Sequence, residues 1–129
     1  MRIYLDASPV MYYVEGTAPF AALVAARINA PGEVLVASDL TRLETLVLPV
    51  RVGDAQRVRD FEDFFAQRVA EMVPFTRAVF DRALDIRVRE NFRVPDALHL
   101  AAAVEARCDL FLTNDAQLRR FAGIAVEVV

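Results

Sequence analysis

Short apolar runs of strand length alternate with stretches of helical spacing along this chain, and that alternation limits the fold more than any other feature. The runs are Ile3 to Leu5, Val34 to Ala37, the brief extended segment Glu71 to Phe75, Asp109 to Leu112, and Ala125 to Val129. They are nearly continuous rather than alternating in polarity, as expected of strands buried on both faces of a parallel sheet. Between them, helices are expected over Val10 to Val14, Pro19 to Asn29, Leu40 to Leu48, Ala55 to Val69, Arg77 to Glu90, Asp96 to Ala106 and Asp115 to Phe121. The order predicts an α/β fold with a central parallel sheet of about five strands, covered on both faces. No linker, repeat or low-complexity stretch interrupts residues 1–129, so a single domain is expected.

Punctuation along the chain supports those bounds. Ser38-Asp39 and Thr76 offer helix caps, and Pro95 suits the start of a helix. Pro49 is expected to end the helix that begins near Leu40. Within that helix, Thr41-Arg42-Leu43-Glu44 has the spacing of a capping box.

Composition removes several kinds of function. At 56% hydrophobic, the chain can fill a core. No apolar run reaches the length of a membrane span, and the N-terminus lacks an export leader. Cys108 is the only cysteine, which excludes an internal disulfide and fits a reducing cytoplasm. All 15 basic residues are Arg. Without Lys, Schiff-base chemistry and the usual P-loop are excluded. The net charge of −3 excludes a generally basic nucleic-acid coat but permits a local basic surface.

Four acids stand out by position. Asp6 ends the first strand, Glu44 lies on the helix after the second, Asp96 is in the first turn of an apolar helix, and Asp115 follows the fourth strand. Right-handed crossovers bring residues that follow parallel strands to one sheet edge, where ligands of α/β proteins bind. Each acid alone has an ordinary structural role open to it, as a cap or a partner of the helix dipole. Together they repel: two unit charges about 4 Å apart cost roughly 4 kcal/mol at an effective dielectric near 20. A cation or a proton must offset that. With no Cys or His cluster beside them, an all-oxygen site for Mg²⁺ or Mn²⁺ is expected. Such a site lowers the pKa of water and stabilises charge on an attacked phosphodiester. Asp6, Asp96 and Asp115 are the expected ligands, with Glu44 completing the site or orienting the water.

The blocks that carry these acids resemble those of a known family. Tyr4-Leu5-Asp6-Ala7-Ser8, Ser38-Asp39-Leu40-Thr41-Arg42-Leu43-Glu44, Pro95-Asp96-Ala97-Leu98-His99-Leu100-Ala101-Ala102-Ala103 and Leu112-Thr113-Asn114-Asp115 are similar to the four blocks of PIN-domain ribonucleases, in family order, and most of all to VapC-type toxins. The resemblance implies a three-layer α/β/α sandwich and a Mg²⁺ site formed by Asp6, Glu44, Asp96 and Asp115. It implies that the hydroxyls of Ser8 and Thr113 support that site. It further implies endonucleolytic cleavage of RNA, a homodimer, and inhibition by a cognate antitoxin.

Arg42 and Arg93 lie a few residues from Glu44 and Asp96, where each could hold an RNA phosphate or form a structural ion pair. His99, one turn after Asp96, could face the site, and the favoured expectation is a packed helix residue with one satisfied nitrogen. Phe61, Phe64 and Phe65 have the spacing of core or interface residues. Two other readings remain open. One is a PIN-like module that holds RNA or protein without cutting; the other is a metal-dependent nuclease or phosphatase outside any toxin–antitoxin pair. A phosphoacceptor domain would normally require a lysine.

Overall fold

The computed structural model describes residues 1–129. Its elements run β1 (Arg2–Leu5), α1 (Ala7–Glu15), α2 (Phe20–Ile28), β2 (Val34–Ser38), α3 (Asp39–Val52), α4 (Ala55–Arg68), β3 (Glu71–Val73), α5 (Arg77–Glu90), α6 (Val94–Glu105), β4 (Leu110–Thr113), a 3-10 turn (Ala116–Arg120) and β5 (Ala125–Val128). The strands form one sheet in the order β3-β2-β1-β4-β5, every pair parallel. Helices cover both faces, so the architecture is the expected three-layer α/β/α sandwich.

Side-chain alternation on the strands divides the core in two. Ile3 and Leu5 of β1 and Leu110 and Leu112 of β4 point to one face, where Val10, Val24, Ile28 and the three phenylalanines Phe61, Phe64 and Phe65 meet them. Tyr4 and Phe111, from the same strands, point to the other face and pack under α5 and α6, against Ile86, Leu100 and Ala101. Helix α6 is buried along most of its length because Ala97, Ala101, Ala102 and Ala103 let it lie close to the sheet.

The chain winds outward from β1 to β3, then returns past β1 to start β4. The winding direction therefore reverses between β1 and β4, and α/β sheets leave a crevice beyond the strand ends at such a point. Asp6 follows β1 and Asp115 closely follows β4, so both acids stand at its mouth.

Two local expectations are corrected. Pro49 does not end its helix. It removes one amide donor, but its ring is buried, and α3 continues until Gly53, whose left-handed backbone (φ 72°) closes it. The capping box of α3 is also set earlier than Thr41–Glu44. Ser38 accepts the Thr41 amide at 3.3 Å, and the Thr41 hydroxyl accepts the Ser38 amide at 3.3 Å. Glu44 thus has no cap to serve and projects into the crevice. No helix is long and apolar enough to cross a membrane.

Candidate functional site

Asp6 is fixed from two sides. It is the N-cap of α1, and its Oδ1 accepts the Ala7 amide at 2.8 Å. Its Oδ2 accepts the Thr113 hydroxyl at 2.7 Å. The Asp6 amide donates to the Leu112 carbonyl at 3.0 Å, which extends the β1–β4 ladder to the site itself. Thr113, wholly buried, also accepts the Asp115 amide at 3.1 Å. Asp115 in turn caps the 3-10 turn by accepting the Gln117 amide at 2.9 Å.

Asp96 enters from the first turn of α6, beside Pro95. Its carboxyl is pushed above the ordinary range chiefly by burial, and the charges of Asp6 and Asp115 push the same way. Arg93 opposes this from 3.3 Å, through an exposed guanidinium at the rim.

Glu44 reaches the same cleft from α3. The cleft has a volume of about 590 Å³ and is lined by all four acids, with Arg93, Ser8, Thr113 and Asn114 beside them and Met11 and Val47 as an apolar lip. One guanidinium therefore stands against four carboxylates. Of the two hydroxyls expected near the site, Thr113 is bonded to an acid, whereas Ser8 lines the cleft without a side-chain hydrogen bond. Arg42 lies elsewhere. Its guanidinium grips Glu62 of α4 through Nε at 2.7 Å and Nη2 at 3.0 Å, a structural pair that draws it away from the acids.

His99 is packed in its helix as expected and also faces the site, the less favoured of its two sequence expectations. It is 1% exposed, and both of its ring nitrogens are engaged. Nδ1 bonds the Tyr4 hydroxyl at 2.8 Å, and Nε2 bonds Glu44 Oε1 and lies 3.6 Å from Asp6 Oδ1. The expectation of one satisfied nitrogen is corrected to two. The signal was its spacing: three residues after Asp96 puts both on one helix face. Tyr4 continues inward to the Ser38 hydroxyl at 2.7 Å, and burial raises its phenol well above the ordinary value, so it stays protonated.

Side-chain atoms of Asp6, Glu44 and His99 lie within 4.8 Å of one another. The wider donor set is carboxylate oxygen with no thiolate, and hard cations such as Mg²⁺ and Mn²⁺ favour it. The excess of carboxylates over cations in one cleft also fits a site completed by a divalent ion.

Solved structures share this architecture. VapBC2 from Rickettsia felis, bound to a DNA fragment from their promoter, superposes with a TM-score of 0.78 at 13% identity, over 99% of this chain and 98% of that one. A toxin–antitoxin complex from Klebsiella pneumoniae gives 0.71 at 16% identity, over 98% and 99%. VapC20 from Mycobacterium tuberculosis, described as a toxin that cleaves the sarcin–ricin loop, gives 0.68 at 16% identity, over 84% and 86%. No curated protein matches the chain at a significant level. The sequence profile of the PIN domain matches residues 3–124, and on that match, together with the sandwich and its acidic crevice, the chain belongs to the PIN domain family.

Proposed function

We propose that this chain is a divalent-metal-dependent endoribonuclease that acts as the toxin of a toxin–antitoxin pair in the cytoplasm. One observation carries the catalytic part: Asp6, Glu44, Asp96 and Asp115, spread over the chain, meet in one open cleft with Arg93 as the cation beside them. Membership of the PIN family supports a nuclease, and the likeness to toxin–antitoxin structures supports the pairing.

In this reading Asp6, Asp96 and Asp115 hold Mg²⁺ or Mn²⁺, and Glu44 either completes that set or orients the attacking water. When bound, the ion polarises a phosphodiester and neutralises charge that develops on its oxygens. The chain's own groups do the rest. Thr113 keeps Asp6 turned to the cleft. Glu44 has one oxygen on His99 and the other, Oε2, without a partner in the chain, free to accept a proton from water. Arg93 is placed to pair with a substrate phosphate once the acids are neutralised.

Exposed apolar side chains give protein partners somewhere to bind. Phe80, Leu84 and Val88 recur every four residues along α5 and are 51%, 63% and 74% exposed, beside Val94. Leu43, Leu48, Val50 and Val52 are exposed on α3. On these surfaces we place a second copy of the chain and the antitoxin. Substrate class is tested by giving the purified protein end-labelled RNA and single-stranded DNA of the same sequence with Mg²⁺. Cleavage of RNA alone is the expected result. Equal cleavage of DNA would make it a general nuclease.

A further inference from the structure

The hydrogen-bond partners of His99 constrain where its protons sit. Glu44 offers its carboxylate to Nε2 at hydrogen-bond distance, and Asp6 lies 3.6 Å from the same nitrogen. A lone pair on Nε2 would face two acids, so Nε2 must carry a proton. In a neutral ring Nδ1 is then an acceptor, and the one group that can supply it is the Tyr4 hydroxyl at 2.8 Å. Having given its proton to Nδ1, Tyr4 must accept from Ser38, 2.7 Å away. Ser38 is free to donate, because its oxygen takes the Thr41 amide on a lone pair, and Thr41 donates onward to the Leu5 carbonyl at 3.0 Å. In this order every donor of the network has an acceptor, whereas a doubly protonated ring would reverse Tyr4 and Ser38 and leave Ser38 to donate to the Thr41 hydroxyl across a longer 3.4 Å.

We infer that His99 is a positioning residue and not a ligand: held as the Nε2–H tautomer by the acids at Nε2 and the Tyr4 hydroxyl at Nδ1, it donates to Glu44 and keeps that carboxylate beside Asp6 at the cleft. The buried network runs from the capping box of α3 through β1 to α6, so Glu44, whose side chain is about one-third exposed, is anchored to a helix buried along most of its length. An outer partner of this kind orients a charged group without joining its reaction. The consequence for cation binding rests on the functional reading above. The tautomer does not.

His99 is the only histidine, so the NMR chemical shifts of its two ring nitrogens report the tautomer without ambiguity. In metal-free protein the expected spectrum shows a protonated Nε2 and an unprotonated Nδ1. In Tyr4→Phe, which keeps the ring but not the donor, Nε2 is expected to keep its proton, held by the two acids, while the Nδ1 shift moves to that of a nitrogen without a hydrogen-bond donor. A protonated Nδ1 in the wild type overturns the assignment. So does loss of the Nε2 proton on adding Mg²⁺, because His99 would then be a ligand. Mn²⁺ titration by calorimetry, without RNA, supplies the second readout. His99→Leu is expected to weaken binding by about 10–100-fold, and His99→Gln, which restores an N–H donor, to recover most of it. Equal affinity in His99→Leu and wild type overturns the positioning role. If the wild type binds no cation while Nε2 carries the proton, the cation reading fails and the His99–Glu44 assignment stands.

Discussion

The Thr113 hydroxyl on β4 donates to Asp6 at the end of β1 across 2.7 Å, and its oxygen also accepts the amide of Asp115. One buried hydroxyl thus ties together two acids that are far apart in sequence. Thr113→Val keeps the shape and β propensity but leaves Asp6 Oδ2 without its donor and the Asp115 amide without its acceptor. Unfolding in urea should show a loss of about 1–3 kcal/mol, and Thr113→Ser should restore most of it. An unchanged midpoint in Thr113→Val would mean that water serves both groups as well as the hydroxyl does.

Asp96 predicts a pH effect whose sign is opposite to that of most carboxylates. Its carboxyl lies above the ordinary value of 3.8 because burial and the neighbouring acids disfavour its charge. The folded state therefore holds this proton more tightly than the unfolded chain, and stability is lost as pH rises from the ordinary value through the raised one. In metal-free protein, Asp96→Asn should be more stable than wild type at neutral pH, and the gap should close as pH falls to the ordinary carboxylate range. Denaturation curves between those limits, in EDTA, measure it. A variant less stable at neutral pH would show that the contact with Arg93 outweighs desolvation.

The two arginines should separate cleanly. Arg42 and Glu62 form an ion pair whose side chains are each about two-fifths exposed, so Arg42→Ala should cost at most about 1 kcal/mol and leave cleavage intact. Arg93→Ala should weaken RNA binding and flatten its salt dependence. Filter binding over a range of salt concentrations checks both. Equal losses of affinity would place Arg42 on the RNA path.

Burial pushes the Cys108 thiol up to about 11, with a smaller opposing effect from Arg2. At pH 8 it should react with iodoacetamide far more slowly in native than in unfolded protein. Equal rates would show the thiol to be open to solvent.

The strands and the acids were legible because each depends on local pattern. Val34 to Ala37 is apolar on both faces, so no partner is needed to recognise it, and Asp6 and Asp115 follow strands that could be read directly. Helix α3 was less legible. A proline in isolation predicts an end, but burial of the Pro49 ring outweighs one lost hydrogen bond. Arg42 is close to Glu44 in sequence, and of its two expected roles the structure shows the ion pair, but the partner, Glu62, lies 20 residues on in the next helix and no local pattern points to it. His99 shows the same limit most clearly. Its partners Glu44 and Tyr4 are 55 and 95 residues away, and only the packing of α6 against the sheet and against α3 brings them together.

The central claim is that the four acids hold a divalent ion and cut RNA. Its most direct test is cleavage of end-labelled cellular RNA by wild type and Asp96→Asn, each with Mg²⁺ and with EDTA. The account predicts cuts at discrete sites by the wild type with Mg²⁺ only, and a loss of at least about 100-fold in the variant. Cleavage by Asp96→Asn at the wild-type rate, or cleavage that survives EDTA, would contradict it.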